Sequence, residues 1–481
     1  MTSRKFVGSV VVYGGSDFVF KLLGFAVLPI YAHIFSVVEF GLIALLGVLT
    51  SLVGMVVNMG VNNSVQRFYW DPETKEGRHA LLVSTGLRQL VGISVVGTLA
   101  LLATLYFIRS SIEERYGIEW GLLVLAFLAI LPDQILQYAL DTIRLHFTPV
   151  RFMILSFLKN ALGVVLGLWL IVGLEQGLYG YFGGALISSL ISVPVALWFI
   201  RKDLVWKFDK AIAKKIFHFG SPFVFTGLAY WVFGSMDRWL LVELGNATEA
   251  GLYSIAFKFA AVVTFVNSAF GQAWSPYAIK LMRDDKNYLQ AYSGIFSIWF
   301  FLLAIIGFAI ALFADELLML LTPREYWPAA ETMGMVAMGF VMFGTTQVTA
   351  LGISLEKKTG LLIHGAWLTA VINFFLNVAL IPNYGALGSA FATLVSYAVL
   401  TSFFLYWTLQ LHPFPLERRK LAYSGCVVVV GVVLPQFIHA SGIVAIWIVV
   451  KLLLVGAVVG GAWALGIVDK RWLCAFVPSR S

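Results

Sequence analysis

Long apolar runs follow one another along almost the whole chain, and short polar connections separate them. The hydrocarbon core of a bilayer is about 30 Å thick, so a helix needs roughly 20 apolar residues to cross it. Applied to the 481 residues, this rule predicts about fourteen transmembrane helices. Their expected ranges are 7–32, 40–65, 80–108, 120–143, 150–172, 178–200, 216–242, 251–277, 289–313, 329–354, 360–381, 386–409, 421–437 and 443–466.

The composition leads to the same prediction. Charged residues form 12% of the chain and hydrophobic residues 60%, whereas a soluble domain carries about 25% charged residues. We therefore expect an all-α integral membrane protein. Two cysteines, Cys426 and Cys474, exclude a disulfide framework and a cysteine-rich metal site. The N-terminal apolar run lacks a small-residue cleavage site and contains Asp17 and Lys21, so it is predicted to be a retained first helix.

The basic residues are unevenly shared between the two sides of the predicted helices. With the N-terminus inside, the inner loops and termini hold 24 of the 33 basic residues, whereas the outer loops hold only Arg109, Arg115 and Arg324. This split predicts a multi-pass protein with both termini in the cytoplasm. It also accounts for the net charge of +8 without nucleic-acid binding. The basic segment 201–215, which contains Trp206, is expected to lie on the anionic inner leaflet.

Two short motifs recur at a nearly constant distance along the chain. Glu39-Phe-Gly41 matches Glu249-Ala-Gly251, and Gly177-Leu-Tyr-Gly180 matches Gly385-Ala-Leu-Gly388. Six helices return the chain to the same side of the membrane, so the two halves are expected to be parallel repeats. The prediction is a six-helix lobe over 1–200, a cytoplasmic linker over 201–215, a second six-helix lobe over 216–412, and two additional helices with a cytoplasmic tail over 413–481.

Three stretches carry a resemblance to a known family. They are Asp237-Arg238-Trp-Leu-Leu with Gly245, Glu249-Ala-Gly251-Leu-Tyr-Ser and Pro276; Asn373-Phe-Phe-Leu-Asn377 with Ile381-Pro-Asn-Tyr-Gly385-Ala-Leu-Gly388-Ser-Ala; and Val38-Glu-Phe-Gly41 with Asn58-Met-Gly60 and Arg67. These resemble the polysaccharide-transport branch of the multidrug/oligosaccharidyl-lipid/polysaccharide exporter superfamily. The resemblance extends over the whole chain through helix number, orientation and the two-lobed repeat.

The resemblance implies a flippase for a lipid-linked oligosaccharide, such as an O-antigen unit of lipopolysaccharide. Such a protein moves an undecaprenyl-pyrophosphate-linked glycan from the inner to the outer leaflet of the bacterial cytoplasmic (inner) membrane. Membrane lipids and glycan polymerase machinery are the other expected partners, and no cofactor is expected. Related branches of the superfamily export drugs or flip another lipid precursor, and these activities remain alternatives.

Charged side chains inside apolar spans are costly, so they are candidates for functional residues. Cationic groups bind phosphate oxygens strongly, which makes five residues candidates for binding a pyrophosphate. They are Lys21, Arg88, Lys159, Arg238 and Lys258. Three carboxylates are candidates for proton or sodium coupling, namely Asp17, Asp133 and Asp237. The alternative is that these charges neutralise one another and only help the helices to pack; for Asp17 and Lys21, four residues apart, we favour such a static pair.

The amides Asn58 and Asn62, at the end of the second span, are candidates for hydrogen bonds with sugar hydroxyls. Capping of the helix is the alternative. The seven histidines are scattered without the spacing of metal ligands, and a Walker phosphate loop is absent. A membrane glycan polymerase or glycosyltransferase would be expected to carry a catalytic cluster on a large outer loop, so we predict a protein that is not an enzyme. A non-transporting scaffold for glycan assembly is the third alternative.

Overall fold

The computed structural model describes residues 19, 22–71, 78–284, 287–438 and 444–467. Among these residues the regular structure is helical, and none of them forms a β-strand. The predicted site residues Asp17 and Lys21 lie outside the described residues, as does the tail 468–481. The all-α membrane architecture expected from the sequence is confirmed.

The helices of the described residues are numbered in chain order. They are α1 (Leu22–Ile34), α2 (Val37–Asn58), α3 (Val61–Tyr69), α4 (His79–Phe107), α5 (Arg109–Tyr116), α6 (Trp120–Leu128), α7 (Ile130–Leu145), α8 (Pro149–Leu168), α9 (Gly177–Phe199), α10 (Lys210–Gly220), α11 (Pro222–Leu244), α12 (Ala247–Ala260), α13 (Val262–Asp284), α14 (Tyr288–Leu312), α15 (Ala314–Leu321), α16 (Ala329–Gly344), α17 (Thr346–Thr349), α18 (Leu351–Leu355), α19 (Thr359–Leu411), α20 (Arg418–Val433) and α21 (Val444–Ala464). Short 3-10 turns occupy Arg201–Asp203, Arg324–Tyr326 and Leu434–Gln436, and a π-helical turn occupies Trp169–Gly173.

The described part of the chain contains ten helical stretches long and apolar enough to cross a membrane. The number becomes eleven when α12 and the following helix, which meet at a bend of 41°, are counted as one broken span. One of the ten stretches is the 53-residue helix α19, whose backbone is not helical at Gly385. Within the described residues, α1 is apolar and covers fewer residues than a complete span. The multi-pass architecture is therefore established, while the number of about fourteen helices stays a prediction.

The chain divides into two compact units. Unit 1 comprises residues 1–31 and 42–231, and unit 2 comprises 32–41 and 232–481. The boundaries fall inside α1, α2 and α11, whereas the segments expected from the sequence end at 200, 215 and 412. Those four segments stay a prediction, because compactness and membrane topology divide a chain by different criteria.

In unit 1, the basic segment after α9 is fastened to the bundle. Asp209 caps α10 by accepting hydrogen bonds from the backbone N–H groups of Ala211 (2.8 Å) and Ile212 (3.1 Å). The hydroxyl of Ser64 donates to the carbonyl of Ile216 at 2.9 Å. Ile216 is fully buried in a core cluster with residues of α3, α4 and α7. The helix that begins inside the predicted linker is thus part of this unit.

In unit 2, the two copies of the glutamate–glycine motif meet. A Cβ atom on Gly41 would overlap the carbonyl oxygen of Ala247, and one on Gly251 would overlap the carbonyl oxygen of Val37. Each of these carbonyls lies four residues before the opposite glycine, so the contact is symmetric between the two motifs. Small residues allow the backbones of membrane helices to approach in this way. The two motifs found in the sequence therefore mark the place where α2 and α12 cross.

The glutamates of the same motif stabilise helix starts. Ser36 and Glu39 form a capping box at α2, in which Glu39 Oε2 accepts from the backbone N–H of Ser36 at 2.9 Å. Glu249 lies at the corresponding position of α12, and its own N–H donates to Asn246 Oδ1 at 2.9 Å. Its carboxylate instead accepts from the backbone N–H of Ala386 at 2.7 Å. Glu249 therefore caps the helical segment that restarts after Gly385.

The first glycine of the glycine motif has a positive φ in both copies. Gly177 has φ of +49° at the start of α9, and Gly385 has φ of +50° inside α19. Positive φ is accessible to glycine without the steric cost that a Cβ brings. Three residues later, a Cβ on Gly180 or Gly388 would crowd the backbone of the preceding helical segment. The repeat inferred from the sequence is thus present in the local structure of each unit.

Candidate functional site

A polar network crosses unit 1 between α2, α3 and α7. The amide Nδ2 of Asn58 donates to Gln134 Oε1 at 2.7 Å and to Asn62 Oδ1 at 3.2 Å. Asn62 in turn donates to Asp141 Oδ2 at 2.8 Å, and Asp141 Oδ1 accepts from Arg144 at 3.2 Å. Asn62 and Asp141 are buried. Both predicted asparagines are therefore held by other protein groups, as interhelical hydrogen bonds between membrane helices require.

The second polar group of unit 1 is an ion pair between α7 and α8. Lys159 Nζ lies 3.2 Å from Asp133 Oδ1, and the same oxygen accepts from the hydroxyl of Ser189 on α9 at 2.7 Å. The side chain of Asp133 is 46% exposed and that of Lys159 is 27% exposed. Two predicted site residues from different helices are thus brought together, and their charges cancel.

Asp133 also lines a cleft of about 270 Å³ between α2 and the junction of α6 with α7. Its polar lining is formed by Thr50, Ser51, Asp133 and Gln134, and the rest of the lining is Gly47, Gly54, Met55, Ala129 and Ile130. Gln134 Nε2 donates to the carbonyl of Gly54 at 3.0 Å, which fixes the orientation of the amide. The cleft brings Asp133 together with hydroxyl and amide groups in otherwise apolar helices, so it is the candidate site of unit 1.

Arg88 is placed apart from this cleft. Its Nη2 donates to the carbonyl of Val205 at 2.7 Å, and its guanidinium lies 5.6 Å from the ring centroid of Trp206. Ser84, one helical turn before Arg88, bonds the same connection, because its hydroxyl donates to Asp203 O and accepts from Val205 N–H. In the structure Arg88 therefore fastens the segment after α9.

In unit 2, Asp237 and Arg238 form a buried cluster. The hydroxyl of Tyr253 donates to Asp237 Oδ2 and lies 3.1 Å from Thr393 Oγ1. A phenol has one proton, so Thr393 must be the donor in its bond with Tyr253. Arg238 Nη1 lies 3.3 Å from Asp237 Oδ1. Its guanidinium also lies 3.7 Å from the ring centroid of Phe257, which is a cation–π contact.

Lys258, on α12, differs from the other described cations inside the spans. Arg88 also has no described carboxylate within ion-pair distance, but it donates to the carbonyl of Val205. Lys258 Nζ lies 4.4 Å from the ring centroid of Phe40, and both residues belong to unit 2. No carboxylate among the described residues is within ion-pair distance of Lys258, whereas Lys159, Arg238 and Lys451 each have such a partner. The side chain is partly accessible. Lys258 is thus a cation with an aromatic neighbour and no described counter-charge.

The sequence identified these residues but missed several of their partners. Gln134, Ser189, Tyr253 and Thr393 complete the three groups described above and were not predicted. Gln134 could have been found from the sequence, because polar residues at 133, 134, 137 and 141 form a stripe in an apolar span. Single hydroxyls on other helices carry no such signal. Within the described ranges, no group of three or more His, Cys, Asp or Glu side chains is placed to hold a metal ion.

Comparisons with known proteins identified a family, a relative and similar solved structures. Residues 30–331 match the family described as polysaccharide biosynthesis protein. The "Probable low-salt glycan biosynthesis flippase Agl15" of Haloferax volcanii is 24% identical over 225 residues, which are 45% of this chain. The match spans 47% of that relative, or about half of its length.

Two solved structures show the fold. The lipid II flippase MurJ, in an inward closed conformation, superposes with a TM-score of 0.72 at 14% identity, over 95% of this chain and 100% of that chain. An inward-facing multidrug resistance MATE family transporter of the MOP superfamily superposes with a TM-score of 0.60 at 14% identity. It covers 86% of this chain and 95% of the transporter.

Proposed function

The chain belongs to the polysaccharide biosynthesis protein family, and from this premise we propose that it is a flippase for a lipid-linked oligosaccharide. The substrate is a glycan joined to undecaprenyl pyrophosphate, which moves from the inner to the outer leaflet of a bacterial cytoplasmic membrane by alternating access. Both termini of the protein are then cytoplasmic. The flippase named among the relatives supports the substrate class, and the fold shared with MurJ supports the mechanism.

One observation in the structure carries this proposal: Lys258 is a membrane-embedded cation without a described carboxylate partner. An unneutralised ammonium in an apolar segment costs free energy, so its retention indicates an anionic ligand. A diphosphate is such a ligand, and its oxygens accept charge-assisted hydrogen bonds from ammonium groups. Lys159 is already neutralised by Asp133, and Arg238 by Asp237. We therefore assign the diphosphate to Lys258 among the described cations, with Lys21 as a further candidate.

Coupling to protons or sodium belongs to the same proposal. Asp237 is 1% exposed and Asp133 lies at the cleft of unit 1. A carboxylate in such surroundings changes its charge in response to protonation or cation binding, and this change alters its pairing with the neighbouring cation. Asp237 is our first candidate because Arg238 pairs with it and Tyr253 donates to it, and Tyr253 is itself bonded to Thr393 on a helix that is distant in the sequence.

The test is transport by purified protein in proteoliposomes. The probe is undecaprenyl pyrophosphate carrying an oligosaccharide with a reducible fluorophore, and dithionite reports the fraction in the outer leaflet. Lys258→Gln should slow transport roughly 10- to 150-fold, because a charge-assisted hydrogen bond contributes about 1.5–3 kcal/mol. Lys258→Arg should be milder. Lys420→Gln, which removes a paired lysine from α20, is the matched control and should transport normally.

The proposal would be wrong if the wild-type protein left the probe in one leaflet while moving multidrug cations. A protein of the polymerase class would instead lengthen the glycan on the same lipid, which chromatography of the extracted probe would detect. A scaffold would do neither. For the orientation, reporter fusions at Asn246 and Lys210 should lie outside and inside respectively, and the reverse pattern would contradict it.

A further inference from the structure

The cleft of unit 1 presents hydrogen-bond acceptors to its interior. Asp133 uses Oδ1 for Lys159 and Ser189, and no described residue bonds its Oδ2. The hydroxyl of Thr50 donates to the carbonyl of Gly47 at 3.0 Å, and that of Ser51 donates to the carbonyl of Val48 at 2.7 Å. A hydroxyl that has given its proton to the backbone retains lone pairs. The open polar atoms on these walls are therefore acceptors.

Most of the donors around the cleft are already committed. Gln134 Nε2 uses one of its two N–H groups for Gly54 O, and Gln134 Oε1 accepts from Asn58. The indole N–H of Trp231 lies 3.2 Å from both Val48 O and Ser51 Oγ, so it fixes Ser51 instead of pointing to a ligand. A ligand that binds here therefore meets mainly acceptors and must supply most of the hydrogens itself. The pyrophosphate that joins the lipid to the glycan is ionised at neutral pH, so it has no hydrogen to donate.

The charges at the cleft also decide which kind of ligand can bind. The ammonium of Lys159, 3.2 Å from Asp133 Oδ1, offsets the carboxylate charge, so a metal cation gains little by binding there while the ion pair is intact. Asp133 lines the cleft and Lys159 does not, so an anion in the cleft would meet the open carboxylate oxygen first and gain little from the ammonium. The group that fits is neutral and rich in hydroxyls. The volume of about 270 Å³ lies near the lower end of ligand pockets, which begin at roughly 300 Å³, so the cleft suits a single ring.

We propose that this cleft, formed by Thr50, Ser51, Asp133 and Gln134, is a subsite for one neutral sugar ring of the transported glycan. The inference rests on the flippase function proposed above and adds a division of roles. The hydroxyl groups of a sugar donate to the open acceptors of unit 1, and the pyrophosphate is bound elsewhere. Uncharged sugars are accepted, and a sugar with a carboxylate is rejected by Asp133.

The experiment measures lipid binding to the full-length protein by native mass spectrometry. Three probes are compared: undecaprenyl pyrophosphate, the same lipid carrying glucose, and the same lipid carrying glucuronic acid. Glucose and glucuronic acid differ only at C6, where a CH₂OH group becomes a carboxylate. The wild-type protein should bind the glucose lipid most tightly of the three.

Variants then test the acceptors one at a time. Ser51→Ala and Thr50→Val should each weaken binding of the glucose lipid roughly 2- to 12-fold, the range for one hydrogen bond, and leave undecaprenyl pyrophosphate unaffected. Thr104→Ala is the matched control, because Thr104 makes the same type of bond to its own helix at an exposed position outside the cleft. Asp133→Asn removes the repelling charge and leaves Lys159 unpaired, so this variant should prefer the glucuronic acid lipid. Size-exclusion chromatography and melting temperature confirm that each variant is folded.

The outcomes separate the two proposals. Wild-type protein that binds none of the three lipids would overturn the flippase function and the subsite with it. Binding of undecaprenyl pyrophosphate without any preference for the glucose lipid would overturn the subsite alone. Equal weakening of the sugar-free lipid by Ser51→Ala and Thr50→Val would show that the cleft takes the pyrophosphate, which also contradicts the inference.

Discussion

The pair formed by Lys451 and Glu316 gives the sharpest stability prediction. Lys451 Nζ lies 2.8 Å and 2.7 Å from the two carboxylate oxygens of Glu316. The lysine side chain is 0% exposed and the glutamate 14%. The pair joins α15 to α21, and only 11% of the apolar window of α21 is buried. Because so little of α21 is packed, this ion pair is its main polar anchor.

The magnitude follows from this burial. Removing one member of a buried ion pair leaves the other charge without compensation, which costs about 3–5 kcal/mol. We expect this loss for Lys451→Met and for Glu316→Gln. In the double variant no charge is left unpaired, so it should be at least as stable as either single variant. The interaction free energy should therefore equal or exceed the larger single effect, which is at least about 3 kcal/mol.

The assay is equilibrium unfolding in mixed micelles with increasing SDS, followed by circular dichroism. The control is Lys420→Met, which breaks the pair with Glu417 at the same distance of 2.7 Å but with 25% and 32% exposure. That loss should stay below about 1 kcal/mol. Additive single effects, or single variants no less stable than the control, would refute the reasoning that burial decides the contribution.

Two further predictions concern helix contacts. Gly251→Ala should lower the yield of folded protein, because its Cβ would overlap the carbonyl of Val37. The control Gly92→Ala, with no atom within 4 Å of its Cβ, should be neutral or stabilising. Equal yields of the two variants would contradict the helix crossing. Arg88→Met should speed trypsin cleavage after Arg201, Lys202 and Lys207 several-fold, because the hydrogen bond to Val205 is lost. Arg109→Met removes similar contacts, but to Tyr106 only three residues away, so cleavage after Arg201, Lys202 and Lys207 should keep the wild-type rate. A wild-type rate for Arg88→Met would refute the anchoring role.

The sequence by itself determined the class of the protein and the existence of its repeat. Apolar runs long enough to cross a bilayer leave the backbone no alternative to helix, since each helix satisfies its own backbone groups in lipid. The motifs Glu39-Phe-Gly41 and Glu249-Ala-Gly251 recur because the glutamate of each copy caps the start of a helical segment and the glycine permits the same close crossing. These features depend on neighbours along the chain, which a sequence displays directly.

Only the tertiary structure decided which charges are neutralised. Lys159 and Asp133 lie on different helices, and nothing in their spacing shows that they pair. Arg88 was an equal candidate for the substrate, yet its partner is the carbonyl of Val205, beyond α9. Lys258 resembles both in sequence but has no described carboxylate partner. Whether two charges pair depends on which helix faces are in contact. The free energy of a charge in the membrane depends on such a partner, and the position of the residue along the chain does not reveal it.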